Sequence, residues 1–257
     1  MPQYSPSRVS AELAFSTPLA RGSKNARVKR VQEWLTLQGF ALAIDSDFGG
    51  ATFTQVQAFQ ARAGLPTTGI VDTATYAALT APLSRAIDYA PAAGQALSPL
   101  VAHYAALHVT QHPREAGGDN LGPWVRAYLG WDGAGARWCA GFACFALEQA
   151  AAAVGKPPPI KSSASCDTLA DRAKTIGKFI SGARIASGQV AKSAITPGSF
   201  FLVRASPTDW VHVGVVKSAS ADAFTTYEGN TNDEGSSNGF EAVERVRGYK
   251  DKDFIIW

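Results

Sequence analysis

The 257-residue chain carries 24 Lys and Arg against 21 Asp and Glu, with 46% hydrophobic and 18% charged residues. A net charge of +3 is far from the dense basic stripe of a nucleic-acid binder, and no apolar run reaches membrane-spanning length, so neither nucleic acid nor membrane insertion is expected. The length predicts two domains. Three cysteines are too few for a disulfide framework and leave at least one free thiol, which fits folding in a reducing compartment. Met1 to Gly22 holds no apolar segment of signal-peptide length, so synthesis in the cytoplasm is expected, with any work outside it requiring release or delivery.

In chain order, Val28, Val31 and Leu35 recur at helical spacing, and Val56, Phe59 and Ala63 repeat the pattern after a turn at Asp45 to Gly50. Gly64, Pro66 and Gly69 punctuate a connection to a third helix ending near Leu79, capped by Asp72 or Thr73. The segment is self-similar: Asp45-Ser46-Asp47-Phe48-Gly49 precedes Ala51-Thr52, and Thr68-Gly69-Ile70-Val71-Asp72 precedes Ala74-Thr75. The ordered set of Arg21-Gly22-Ser23, Val28 to Leu35, Leu37 to Phe40, Asp47 to Gly49, Val56 to Gln60, Gly64 to Pro66 and Thr68 to Asp72 resembles the peptidoglycan-binding domain found on many wall hydrolases. That resemblance implies a small all-α three-helix bundle over 15–82 that holds bacterial peptidoglycan without doing chemistry on it.

Ala, Pro and Ser dominate residues 80–99, with Pro82, Pro91 and Pro99, which predicts a linker at 83–98. Beyond it, Leu100 to His112, Val125 to Leu129 and Ala140 to Val154 read as helices. After Pro157-Pro158-Pro159 the chain turns to short β-rich runs at Ser199 to Val203, Val211 to Val216, Phe224 to Glu228, Val243 to Arg247 and Phe254 to Ile256. Helices first and antiparallel strands afterwards predict an α+β domain over 99–257.

Cys139 stands where Gly130 to Gly135 gives way to the Ala-rich helical run, so the positive end of a helix would favour its thiolate, the form that attacks a carbonyl carbon. A lone cysteine is more often a small buried hydrophobe, so a base and an orienting group are needed. Period-two alternation puts His212 and Gly214 on the face opposite Val211, Val213 and Val215, and gives Phe224, Thr226, Glu228 and Asn230 a common face. A turn centred near Ser220 makes opposing residue numbers sum to about 440, which sets His212 directly across from Glu228, with Asn230 able to help or substitute. A cysteine hydrolase needs this set: an imidazole to move the proton, a carboxylate or amide to orient it, and the Cys139 N–H as oxyanion donor.

The remaining candidates have plainer readings. His103, His108 and His112 on an amphipathic helix read as surface or satisfied core. Cys144, roughly 140° around a helix from Cys139, reads as core, and Cys166, beside the polar Ser162-Ser163-Ala164-Ser165, as an exposed or partly buried inert thiol. His108 and His112 have the spacing of a zinc pair, but Val109 stands where a zinc protease carries its glutamate and no third ligand is evident, so neither metal nor cofactor is expected.

The second module, through Arg114-Glu115, Gly117-Gly118, Asn120, Gly122-Pro123, Trp138-Cys139-Ala140, Phe142, Pro197-Gly198-Ser199, His212 to Val216 and Glu228 to Thr231, resembles the CHAP family, the cysteine, histidine-dependent amidohydrolases/peptidases of the papain-like superfamily. The resemblance implies an α+β papain-like domain with an antiparallel sheet, Cys139 as nucleophile, His212 as base and Glu228 as orienting residue with Asn230 in support. Some relatives bind calcium through an acidic loop before the cysteine, whereas Trp131 to Arg137 offers only Asp132. The expectation is a monomeric, modular peptidoglycan hydrolase that cleaves an amide, as an N-acetylmuramoyl-L-alanine amidase or an endopeptidase. A phage endolysin suits it, a secreted antibacterial effector or autolysin shares the chemistry, and a non-catalytic wall-binding protein is the alternative of another class.

Overall fold

The computed structural model describes residues 4, 6–92, 94–232 and 238–257. The described residues form α1 (Ser7–Leu13), α2 (Ala26–Leu37), α3 (Gly50–Arg62), α4 (Thr73–Ile87), α5 (Leu97–Val109), α6 (Pro123–Leu129), α7 (Cys139–Ala153), α8 (Cys166–Thr175), β1 (Phe179–Ile180), α9 (Gly182–Ala186), β2 (Phe200–Ser206), β3 (Asp209–Ala219), β4 (Ala223–Thr231), β5 (Glu241–Gly248) and β6 (Lys252–Ile255). They gather into two compact units, one built from residues 5–85 and 114–134, the other from Tyr4 with residues 86–113 and 135–257.

In the helical unit, Asn25 caps α2 by accepting from the N–H groups of Arg27 and Val28, and Val28, Val31, Trp34 and Leu35 turn inward. Two buried glutamines explain the self-similar sequence. Gln32 donates to Asp45 Oδ1 at 2.7 Å and Thr52 Oγ1 at 3.1 Å while its Oε1 accepts from the N–H of Asp45 and Ser46. Gln60 repeats this one helix later, donating to Ile70 O at 2.8 Å and Thr75 Oγ1 at 3.0 Å and accepting from Gly69 N–H at 2.9 Å. Each helix thus supplies one carboxamide that satisfies the loop after it and ties that loop to a threonine on the next helix.

Two sequence expectations are corrected in this region. The predicted linker at 83–98 begins later, because α4 continues through Pro82 to Ile87. Proline removes one helix hydrogen bond, but Leu79, Leu83, Ala86 and Ile87 are all buried, and that apolar face carries the helix past it. Residues 114–134, expected in the catalytic domain, pack in the helical unit. Glu12 of α1 and Glu33 of α2 are buried carboxylates, and Arg126 of α6 meets both, with Nε–Oε1 of Glu12 at 2.6 Å and Nη2–Oε2 of Glu33 at 2.6 Å, while its Nη1 reaches Asp132 at 2.6 Å. Trp124 lies edge-on to Trp34 with ring centroids 5.9 Å apart. Lys29 and Arg30 approach Glu33 and Glu12 only to 3.6 Å, and the sequence order gives no hint that the closest cation lies more than ninety residues downstream.

In the second unit the sheet order is β1-β6-β2-β3-β4-β5, and among the described residues neighbouring strands run antiparallel. Ile185, Ile195, Phe201, Val216, Phe224 and Phe254 form one buried apolar cluster. The helices α5 and α7 pack on each other and on β3 and β4, and α8 packs on β3. The all-helical and α+β classes expected from sequence therefore match what the two units contain.

Candidate active site

The helix α7 starts at Cys139, and its N-cap Trp138 provides no side-chain cap, so the helix dipole acts on the thiol without a competing side-chain acceptor. The strand β4 meets this first turn at Gly229, where a Cβ would stand 2.7 Å from Phe142 Cβ and 2.8 Å from Trp138 Cζ3. Only glycine lets the backbone beside Glu228 come that close to the helix that carries Cys139.

His212 on β3 and Glu228 on β4 are both buried, and His212 Nε2 stands 2.9 Å from Glu228 Oε2. An ionised carboxylate only accepts, so Nε2 carries the proton in this contact. The route to it differs from the expected one. The turn is tighter, with Ser220 N–H donating to Ala223 O, and a bulge intervenes between Val216 and Ser218, so paired numbers sum to 442 or 443. Continuing from Val215 opposite Tyr227 puts Gly214, not His212, across from Glu228. The two side chains meet diagonally, a distance long side chains span. Gly214 makes the diagonal possible, since a Cβ there would lie 2.9 Å from Glu228 Cγ and 2.6 Å from Phe201 Cε1.

The Cys139 thiol and the His212 ring are neighbours that shift each other's protonation. With Nε2 committed to Glu228, Nδ1 is the nitrogen left to face the thiol, and it makes no hydrogen bond among the described residues. A hydrogen bond from Cys166 does most to hold the Cys139 thiol well below the ordinary cysteine range; burial opposes it, and His212 and the Val213 backbone reinforce it. For His212, burial pushes downward, but the hydrogen bonds and charges of Cys139 and Glu228 outweigh it and raise the imidazole to about 9. Burial also disfavours charge on Glu228, yet Arg247 and then His212 bring it down to about 2. A thiolate, an imidazolium and a carboxylate can therefore coexist at neutral pH.

Two placements, of Cys166 and Arg247, depart from the sequence reading, and Asn230 has a further contact of its own. Asn230 is buried with φ near 54°, and its Nδ2 donates to Gly239 O at 2.6 Å, so this carboxamide is engaged with the segment after β4. Cys166 is a buried thiol beside Cys139, not an exposed one. Ser165 caps α8 through Thr168 N–H, and Asp167 accepts from Trp210 N–H at 2.8 Å, which ties the start of α8 to β3 two residues before His212. The signal was present in the sequence as a serine cap followed by Leu169, Ala170 and Ala173 at helical spacing. Arg247, which received no role from the sequence, forks onto Glu228 with Nε–Oε1 at 2.8 Å and Nη2–Oε2 at 2.5 Å.

The other candidates are structural in their contacts. His108 is fully buried, bonds Gln149 Oε1 at 2.8 Å and is held down to about 4 by burial. Burial pushes the Cys144 thiol up to about 11. Asp132 accepts from Gly122 N–H at 3.0 Å as well as from Arg126, and Glu115 accepts from Asn120 N–H at 2.8 Å, so these residues of the helical unit close their own loop. Among the described residues no cluster of His, Cys, Asp and Glu is arranged to hold a metal ion, and no helix is long and apolar enough to cross a membrane.

Residues 24–79 match the family model of a peptidoglycan-binding domain. This domain, within the helical unit, marks the chain as a cell-wall-related protein with peptidoglycan as a partner. Neither a curated protein nor a solved structure matches the chain.

Proposed function

We propose that the protein is a cysteine-dependent peptidoglycan hydrolase, in which the N-terminal domain holds the wall and the sheet-bearing unit, a papain-like domain of the CHAP type, cleaves an amide. The observation that carries this reading is the Cys139, His212 and Glu228 set: a nucleophile at a helix start, its base, and a buried carboxylate 2.9 Å from the base. The Cys139 thiolate attacks the amide carbonyl carbon, and charge developing on its oxygen is met by the N–H at the start of α7. The imidazolium then gives its proton to the departing amine nitrogen as the carbon–nitrogen bond breaks, leaving a thioester. The now neutral His212 takes a proton from water, whose oxygen displaces the thiolate and releases the acid. Glu228 keeps the ring oriented and stabilises its charged form in the first half of the cycle.

Either the muramoyl–L-alanine amide or a peptide bond of the stem or cross-bridge presents the same carbonyl to this set. Tethering by the binding domain raises the local concentration of either. With purified peptidoglycan as substrate, the wild-type protein is expected to release new amino groups, and Cys139→Ala is expected to release none while still sedimenting with sacculi. Continued release by that variant would remove Cys139 as the nucleophile. Mass spectrometry of the digest separates the two bonds, since an amidase frees intact stem peptides and an endopeptidase leaves shortened or split ones.

A further inference from the structure

The Glu228 carboxylate lies at 0% exposure and is saturated with donors, which is more than orienting one imidazole requires. Its Oε1 accepts from Thr226 Oγ1 at 2.6 Å and Arg247 Nε at 2.8 Å, and its Oε2 from Arg247 Nη2 at 2.5 Å and His212 Nε2 at 2.9 Å. Arg247 sits on β5 opposite Phe224, four residues before Glu228, and reaches back along the strand to place its fork. Its guanidinium lies 6.0 Å from the Phe201 ring, the same ring that closes over Gly214, so the clamp is set in apolar surroundings where a charged fork is strong.

We propose that Arg247 is a positioning residue of the hydrolytic site: it keeps Glu228 ionised and fixes the carboxylate plane so that one oxygen is always turned to His212. The inference rests on the hydrolase reading above. A buried carboxylate with no cation takes up a proton, and a protonated Glu228 would no longer stabilise the imidazolium that must donate to the leaving amine. The charged or titratable groups around it are His212 from β3, Arg247 from β5, Lys252 from β6 at longer range and, through His212, Cys139 from α7. Of these, Arg247 makes the two-point contact that sets both charge and orientation.

The test uses the full-length chain and two readouts. In Arg247→Met the Glu228 side-chain carboxyl, followed by carbon NMR, is expected to titrate at higher pH than in the wild type, a result that needs no turnover. On peptidoglycan, kcat is expected to fall roughly ten- to a hundredfold with KM little changed, and Arg247→Lys, which keeps charge but not the fork, to recover part of the loss. In a Glu228→Gln background the same Arg247→Met change is expected to add almost nothing, because its action runs through the carboxylate. An unmoved Glu228 titration, or an equal loss of kcat with and without Glu228, would overturn the assignment. Absence of Cys139-dependent release by the wild type would instead strike the hydrolase reading, while leaving the carboxyl titration to decide whether Arg247 controls Glu228.

Discussion

Each unit of this protein buries an ionic cluster, and the two clusters differ in what they can do. Around Arg126 stand Glu12, Glu33 and Asp132. Burial disfavours the guanidinium charge, but its bonds to Glu12 and Glu33 prevail and hold Arg126 charged at any working pH. Around Glu228 stand Arg247, His212 and, one step further, Cys139. Two members of this second cluster have their protonation moved by their neighbours, the thiol pulled well below the ordinary cysteine range and the imidazole lifted to about 9. A buried charge cluster therefore suggests a site only when a proton can move within it; the first one is a clasp, and the second is the set proposed above to transfer protons.

The sharpest break in that comparison is His212→Ala, which leaves the cluster with no mobile proton; amine release is expected to fall by about a thousandfold or more in a steady-state assay. Arg126→Met attacks the clasp and should lower unfolding free energy by up to about 3–5 kcal/mol in denaturant titration, since Glu12 and Glu33 keep only their 3.6 Å contacts to Arg30 and Lys29, while the pH limits of hydrolysis stay where they were. Gly214→Ala sharpens the diagonal contact: a methyl group between Phe201 and Glu228 is expected to cost roughly 1–3 kcal/mol of stability and to lower kcat by displacing the carboxylate. The smallest effect is that of Cys166→Ala, which removes the hydrogen bond that most favours the Cys139 thiolate, so the acid limb of activity should move to higher pH while the rate near pH 8 is least affected.

The wild-type pH profile follows from the same shifts. In the proposed mechanism activity needs Cys139 deprotonated and His212 protonated, so it should rise as pH passes the depressed thiol and fall as pH passes about 9. Stability follows the same groups: the contribution of His212 is full below its ordinary 6.5 and lost as pH rises through about 9, and that of Glu228 is full above its ordinary 4.5 and lost as pH falls through about 2.

Much of this was legible in the chain because it is local. Helical spacing marked α2, α3, α5 and α7, and alternation placed His212 and Glu228 on neighbouring strands. What could not be read depended on contacts between distant segments or on a shift of a residue or two. The hairpin arithmetic missed because one tighter turn and one bulge moved the register, yet the side chains still met, since the absent side chain at Gly214 opens the diagonal. Arg126 and Arg247 carry no motif; each is defined by the acids that fold against it. Cys166 was misplaced because its polar neighbours suggested surface, while the serine before it was capping a helix whose buried first residue is that thiol.

The most direct measurement is a pH titration of thiolate absorbance near 240 nm in the full-length wild type and in Cys139→Ala. One thiolate is expected to form well below the ordinary cysteine range in the wild type and to be missing from the variant, since burial pushes Cys144 up to about 11, and Cys166, held up first by its bond to Cys139, is still kept protonated by burial once Cys139 is gone. A wild-type chain whose first thiolate appears only above pH 8, or one whose low-pH step survives in Cys139→Ala, would contradict it.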